Sequence, residues 1–352
     1  MRFADIPGNE GVKQAMINMA RSGRVHHALL LYENEGSGAL ALGLAFLQYL
    51  NCTEPSGEDS CGECHTCHQI SRLSYPDMRF TFPITSGSKV SGAAKDLTCD
   101  DYAPIFRELV LKNPYFMENE LSAALGIEKK SGLITVAEGR AIMQKLSLAP
   151  VTDGWRGIFI WLPEKMNQQT ANMLLKSLEE PQEKTIFILI THNPESVIST
   201  ITSRCQGMRV MPLTKAQRAS IKRDGDEGEV SQYEELFKSL IECVCARDLQ
   251  AALDVGEALA GLDSREKQKA FCIFAGEGVR NLMLFSRKME SLADLDGDED
   301  WYRSAAKKLP ESFPEAASAV FSRTYTMLER NVLAKILFCN LATRLYAIAG
   351  QK

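Results

Sequence analysis

Two near-continuous apolar runs constrain this fold more than any other feature: Gly157–Leu162 (Gly-Ile-Phe-Ile-Trp-Leu) and Thr185–Ile190 (Thr-Ile-Phe-Ile-Leu-Ile). Each has the length of a strand, and a strand apolar on both faces must be covered on both. That condition suits parallel strands sandwiched between helices. Between the runs Ala171, Leu174, Leu175 and Leu178 recur at helical spacing, and Pro181 stops the helix. Upstream, His27–Tyr32 reads as a short buried strand, followed by a Gly-containing turn and a helix from about Gly38 to Asn51. Asp77–Phe82 is a further strand candidate. Strand and helix alternating over roughly 210 residues predicts an α/β domain built on a doubly wound parallel sheet.

Residues 83 to 133 interrupt the alternation. They open with Ser86-Gly87-Ser88 and hold one clear helical pattern, about Asp100 to Leu111. The segment reads as an insertion, either a surface elaboration or a partner-docking element. Beyond Pro212 the character changes. Arg223-Asp224-Gly225-Asp226-Glu227-Gly228-Glu229 reads as a polar linker. Helical patterns then fill about Ser231–Arg247, Leu249–Leu262, Ser264–Leu292, Trp301–Leu309 and Phe313–Ile348, the last one broken. Asn331 to Ile348 carries only Lys335 and Arg344 as charges, which predicts a helix buried in a core or between subunits.

The net charge of −5 over 352 residues argues against a free-standing nucleic-acid binder, which shows a basic excess. No apolar run approaches the ~20 residues of a membrane span. The opening Met1-Arg2-Phe3-Ala4-Asp5 does not read as a secretion signal. These features predict a cytoplasmic protein with no membrane partner.

Ten cysteines need an account, and four are closely spaced: Cys52-x8-Cys61-x2-Cys64-x2-Cys67. Four thiolates complete a tetrahedral zinc shell with no open position, which makes the expected site structural rather than catalytic. Gly57 and Gly62 let the loop bend, and His65 and His68 are possible substitute ligands. The alternative is a set of unligated thiols. The other six cysteines are scattered and read as small hydrophobes in a reducing compartment.

Where a phosphate-binding loop would follow the first strand, the chain reads Glu33-Asn34-Glu35-Gly36-Ser37-Gly38-Ala39-Leu40. Such a loop needs glycines, a Lys for the β/γ phosphates and a Ser or Thr for magnesium. Gly36 and Gly38 remain, but Glu33 stands for the first glycine, Ala39 for the lysine and Leu40 for the hydroxyl. No Lys or Arg occurs between Arg24 and Arg72. The strand Gly157–Leu162 ends in Trp161-Leu162 where an acidic pair would hold magnesium and activate water, and Glu164 is the nearest acid. These losses predict a fold with no ATP of its own. Two alternatives stay open: an active ATPase with an unorthodox loop, and a zinc-stabilised DNA-binding or scaffold protein.

Taken together, several segments resemble the delta-prime family of the bacterial DNA polymerase III sliding-clamp loader, AAA+ relatives of the gamma/tau motor subunits. Arg24-Val25-His26-His27-Ala28 is similar to the family's Arg-x-x-His-Ala, and the Cys52–Cys67 spacing to its zinc module. Ser74-Tyr75-Pro76-Asp77 resembles its His-Pro-Asp step. Ala171–Pro181 resembles its Ala-Asn-x-Leu-Leu-Lys-x-Leu-Glu-Glu-Pro helix, and Thr202-Ser203-Arg204-Cys205 its Ser-Arg-Cys motif. Glu329-Arg330-Asn331-Val332 is similar to the start of its last collar helix. The insertion exceeds the family norm, and there is no Gly-x-x-Arg second-sensor motif.

The resemblance implies an AAA+ (RecA-like) domain over 1–212, with the zinc module at about 52–70 and the insertion at about 83–133. It implies a shortened lid or linker at 213–231 and an all-α collar for oligomerisation at 232–352. It further implies a non-ATPase stator subunit that acts with gamma/tau and delta subunits to load the sliding clamp on primer–template DNA. Such a subunit is no enzyme by itself but part of the polymerase III holoenzyme, at the nucleoid-associated replisome. Arg204, flanked by Ser203 and Cys205, would be an arginine finger for a neighbour's ATP; a surface salt bridge is the plainer reading. Leu178-Glu179-Glu180-Pro181 would be an amphipathic helix end packed on the sheet, or an inter-subunit contact.

Overall fold

The structure is a computed structural model that describes residues 1–90, 96–127, 130–221, 226–293, 295, 298–330 and 332–350. It divides into two compact units, Met1–Leu213 and Thr214–Lys352.

In the first unit α1 (Glu10–Arg21) precedes β1 (Ala28–Glu33), α2 (Ala39–Asn51), α3 (His65–Ser71) and β2 (Met78–Thr81). The insertion carries α4 (Ala103–Lys112) and α5 (Glu118–Leu125). Then come α6 (Val136–Ser147), β3 (Arg156–Trp161), α7 (Gln168–Glu179), β4 (Thr185–Thr191), the short α8 (Ser199–Thr202) and β5 (Gln206–Val210). The strands form one sheet in the order β2-β3-β4-β1-β5, with every pairing parallel. In register, Leu30 of β1 lies between Leu189 of β4 and Gly207 of β5.

Alternation sorts the strand side chains onto two faces. Ala28, Leu30, Ile158, Ile160, Phe187 and Leu189 meet Ile142 and Leu146 of α6 and Ala171, Leu174 and Leu178 of α7 in one buried cluster. The other face receives α2. At Gly43 that helix lies so close that a Cβ would sit 2.9 Å from Ile188 and 3.0 Å from Phe159. Helices on both faces make the sheet doubly wound, as the apolar runs predict. From β1 the chain leaves to the α2 face, whereas the adjacent β4 leads on through α8 to the other. The crevice between their carboxyl ends is therefore the switch point, the usual ligand position in such sheets.

β5 is absent from the sequence reading. Only Met208 and Val210 of its five residues are buried, because it is an edge strand. Its polar half gives no apolar run to recognise.

One face of the insertion is buried against the domain, while Arg107, Glu108, Leu111 and Lys112 of α4 stay exposed. The expected helix begins later, at Ala103 behind a 3-10 turn over Cys99–Tyr102, and α5 was not expected at all. Tyr102, Phe106, Phe116, Leu121 and Leu125 are buried, and Phe106 stacks on Phe82 with ring centroids 4.2 Å apart. A buried polar network clamps it to the sheet edge. Glu138 of α6 accepts from Arg79 Nη2 (3.0 Å), Thr81 Oγ1 (2.8 Å) and the Cys99 backbone N–H (2.8 Å). Asp100 takes the other side of the same guanidinium, at 2.8 and 2.9 Å. Residues 91–95 and 128–129 of the insertion lie outside the described residues.

The second unit is helical: α9 (Lys215–Ser220), α10 (Asp226–Ala246), α11 (Leu249–Ala260), α12 (Arg265–Ser286), α13 (Glu299–Lys308), α14 (Phe313–Glu329) and α15 (Ala334–Ala349). Asp226 to Glu229, expected in a linker, begin α10; Arg223 to Gly225 and Asn331 lie outside the described residues. The expected break in the last segment falls between α14 and α15. α15 buries Phe338, Leu341, Ala342 and Leu345 but leaves Leu333 and Ile336 exposed at its start. It crosses α11 where Gly256 lets the backbones approach: a Cβ there would be 3.0 Å from the Phe338 carbonyl oxygen. Among the described residues, no helix is long and apolar enough to cross a membrane.

Candidate functional site

At the switch point the chain places a carboxylate of its own. Gly36 and Gly38 both have positive φ, so the loop after β1 turns as a phosphate loop would. The helix N-terminus behind it presents backbone N–H groups and the positive end of the helix dipole, a ready anion site. Here Glu33 occupies it: its buried carboxylate accepts from the Ala39 N–H at 2.8 Å. Ala39 and Leu40 are buried apolar residues and bring no cation or hydroxyl.

The insertion packs against the same loop. A Cβ on Gly38 would lie 2.5 Å from the Tyr115 ring, so that ring rests directly on the loop. Phe116 packs on Trp161 with centroids 5.1 Å apart, and Trp161 meets the His192 ring edge-on at 5.5 Å. Trp161 ends β3 as a buried aromatic, and Leu162 follows in a left-handed conformation. Glu164 faces β4, accepting from Thr191 Oγ1 (2.8 Å) and the His192 N–H (3.1 Å). Glu35 accepts from the first N–H of α5, at Glu118, whose own carboxylate takes Lys165 Nζ at 2.7 Å.

His192 is a member of this site that sequence reasoning missed. Its Nε2 lies 3.7 Å from Glu33 Oε1. Burial opposes a charge on the ring, but the Glu33 carboxylate, with Glu35 and Glu164 behind it, outweighs burial and raises the pKa above the usual histidine value. Tyr115 was also missed, since an aromatic residue in an irregular segment carries no pattern. The signal for His192 was its place just past a fully buried strand.

A second site lies at the far end of α2. Cys52 follows that helix, Cys64 caps α3 and Cys67 sits buried within it. Gly57 and Gly62 have the positive φ values that the bends require. The four Sγ atoms lie within 4.8 Å of one another, with Cys52–Cys61 at 3.5 Å and Cys61–Cys67 at 3.8 Å. Zinc–sulfur bonds of about 2.3 Å in a tetrahedron require sulfur–sulfur edges of about 3.8 Å, so the cluster fits zinc. The Cys61 and Cys64 N–H groups point at Cys52 and Cys61 sulfur, 3.2 and 3.3 Å away, as thiolate ligands need. Burial pushes the Cys64 thiol up, but donors at Thr53 and Cys67 pull harder and bring it down to about 6. His65 and His68 are outside the cluster. Asp59 in the same loop accepts the Phe3 and Ala4 N–H groups at 3.1 and 2.9 Å, tying the module to the N-terminus.

Arg204 lies apart from both, on the turn between α8 and β5. Backbone bonds from Arg204 N to Ile201 O (3.0 Å) and from Cys205 N to Thr202 O (3.2 Å) shape that turn. Cys205 packs against the α7 cluster, and burial pushes its thiol up to about 11. The Arg204 side chain is about one-third exposed, and its guanidinium forms an ion pair with Glu179. Glu179 belongs to the Leu-Glu-Glu-Pro end of α7, whose Leu178 is buried in the sheet cluster as expected.

The chain is similar in sequence to known subunits of DNA polymerase III. The family described as DNA polymerase III, delta subunit, matches residues 8–214. The delta' subunit of DNA polymerase III from Yersinia pestis is 31% identical over 192 residues, 54% of this chain and 43% of that protein. The Escherichia coli K12 delta' subunit is 27% identical over 193 residues, 55% of this chain and 45% of its own length. The tau/gamma subunit of Haemophilus influenzae is 24% identical over 215 residues, 61% of this chain and 24% of that protein. The chain thus spans less than half the length of these relatives. The family match takes in more than half of the chain, including every strand of the sheet, the cysteine cluster and the Ser-Arg-Cys turn, and the protein therefore belongs to the DNA polymerase III, delta subunit, family.

Proposed function

We propose that this chain is a non-hydrolysing stator subunit of a bacterial sliding-clamp loader, lending Arg204 to the ATP of an adjacent motor subunit. The observation that carries the reading is a contrast within one domain. The crevice where nucleotide would bind holds Glu33 and lies beside Tyr115, while a partly exposed arginine sits on the turn before β5, paired with Glu179. An arginine stays charged at every working pH and matches phosphate geometry. Supplied in trans, it stabilises charge building on the γ-phosphoryl group, an effect of ~10³–10⁵ in rate. The cysteine cluster would hold a structural zinc ion, which supplies a cross-link between the end of α2, α3 and the N-terminal turn. The helical second unit would serve as the collar, with gamma/tau-type and delta subunits as neighbours. The sliding clamp and primed DNA would be met through that complex in the cytoplasm.

The test is reconstitution of the loader with Arg204→Ala. The variant should fold and enter the ring yet depress the neighbour's clamp-stimulated ATPase by at least ~10³-fold per finger-dependent site. The isolated wild-type chain should give no heat with millimolar ATP and magnesium. Unchanged hydrolysis removes the finger assignment; micromolar ATP binding restores the active-ATPase alternative.

A further inference from the structure

Arg204 is held in a defined pose by groups of its own chain. A guanidinium carries five N–H donors. Glu179 Oε1 accepts from Nε at 2.9 Å and from Nη2. The Thr200 carbonyl oxygen (2.8 Å) and Ser203 Oγ (3.2 Å) accept from Nη1. Among the described residues, the second Nη2 hydrogen meets no acceptor. These partners fix the plane of the group and leave that one corner free.

Glu179 is an unusual residue to find in that place. It is the last residue of α7, and a carboxylate at a helix C-terminus opposes the helix dipole. The adjacent Leu178 is buried beneath the sheet, and Pro181 follows two residues later, so the Glu179 backbone is firmly anchored. An electrostatically unfavourable carboxylate, on a rigid support, grips the one arginine of the turn. We infer that Glu179 is a positioning residue: it aligns the Arg204 guanidinium so that its free corner meets a neighbouring subunit's γ-phosphate without a search among rotamers. The inference rests on the finger reading of Arg204. It assigns to the Leu-Glu-Glu-Pro helix end a task beyond packing on the sheet.

The experiment compares Glu179→Ala, Glu179→Gln, Arg204→Ala and the Glu179→Ala/Arg204→Ala pair in the reconstituted loader, with kcat and KM for ATP read at the neighbouring site. Glu179→Ala should lower kcat roughly 10-fold with KM unchanged, because the charge stays but its alignment is lost. Glu179→Gln keeps an acceptor oxygen and should restore kcat to within about 3-fold of wild type. The double variant should be no slower than Arg204→Ala alone, since both changes act through one group. A loss with Arg204→Ala but none with Glu179→Ala overturns the Glu179 role and leaves the finger intact. A faster Glu179→Ala enzyme overturns it too, because the carboxylate would then be a brake. A silent Arg204→Ala removes both readings. An additive double variant shows that Glu179 acts elsewhere and also overturns the inference.

Discussion

Replacing Glu138 should release the insertion from the sheet. Glu138 is fully buried and Arg79 only 8% exposed, so their pairing is shielded from water. Removing one member of a buried pair costs about 3–5 kcal/mol, because the partner's charge is left behind. Asp100 still holds the other side of Arg79, which places Glu138→Ala at the lower end, about 3 kcal/mol. The Thr81 hydroxyl and the Cys99 N–H also lose their acceptor. With a urea m-value of about 2 kcal/mol/M, the unfolding midpoint of the first unit should fall by about 1.5 M. A Trp301→Phe background restricts fluorescence to Trp155 and Trp161, both in that unit. Trp161 touches Phe116 of the insertion, so its emission should also shift before global unfolding. Adding Arg79→Met to Glu138→Leu should recover part of the loss, since a buried pair replaced whole by apolar groups leaves no orphan charge. A midpoint change below about 0.3 M for Glu138→Ala would refute this account of how the insertion is held.

Two other outcomes are expected. Protein purified without added zinc should carry about one zinc ion per chain, and Cys61→Ser or Cys64→Ser should lose it together with several degrees of thermal midpoint; metal analysis giving none in wild type removes the cluster's assignment. Because His192 has a raised pKa, its protonated form stabilises the fold below the ordinary value of 6.5, and that contribution disappears as pH rises through the raised value. The stability gap between wild type and His192→Gln should therefore be larger at about pH 5.5 than at about pH 9, and an equal gap in urea titrations would contradict the Glu33 pairing.

The sheet was legible where burial is two-sided. The polar residues of β3 and β4 are confined to the strand ends, at Arg156, Thr185 and Thr191, and the apolar runs between them announce both strand and topology. β5 was not legible, because an edge strand with three exposed residues looks like a loop. The packing of the insertion was hidden for a different reason. Its buried residues, Tyr102, Phe106, Tyr115 and Phe116, are spread over turns and short helices and make no period. Phe106 packs on Phe82 and Phe116 on Trp161, partners distant in sequence. At the site, the missing lysine and hydroxyl at Ala39 and Leu40 could be read directly. That Glu33 turns inward onto Ala39 could not, because a carboxylate facing a triphosphate position suggests repulsion until its side chain is seen to take the anion's place. The cysteine spacing was legible because thiolate geometry is local; the Arg204–Glu179 pair joins two motifs that sequence presents separately.

Glu33 also changes how this domain responds to its surroundings. A helix terminus that captures a free anion is filled or empty according to the anion's concentration, and its stability follows that concentration. Here the carboxylate is tethered six residues from the N–H it satisfies. Its local concentration is set by the chain and never falls. The first N–H of this helix is thus satisfied by the fold itself, and the geometry around Ala39 is set by the chain rather than by an anion drawn from solution.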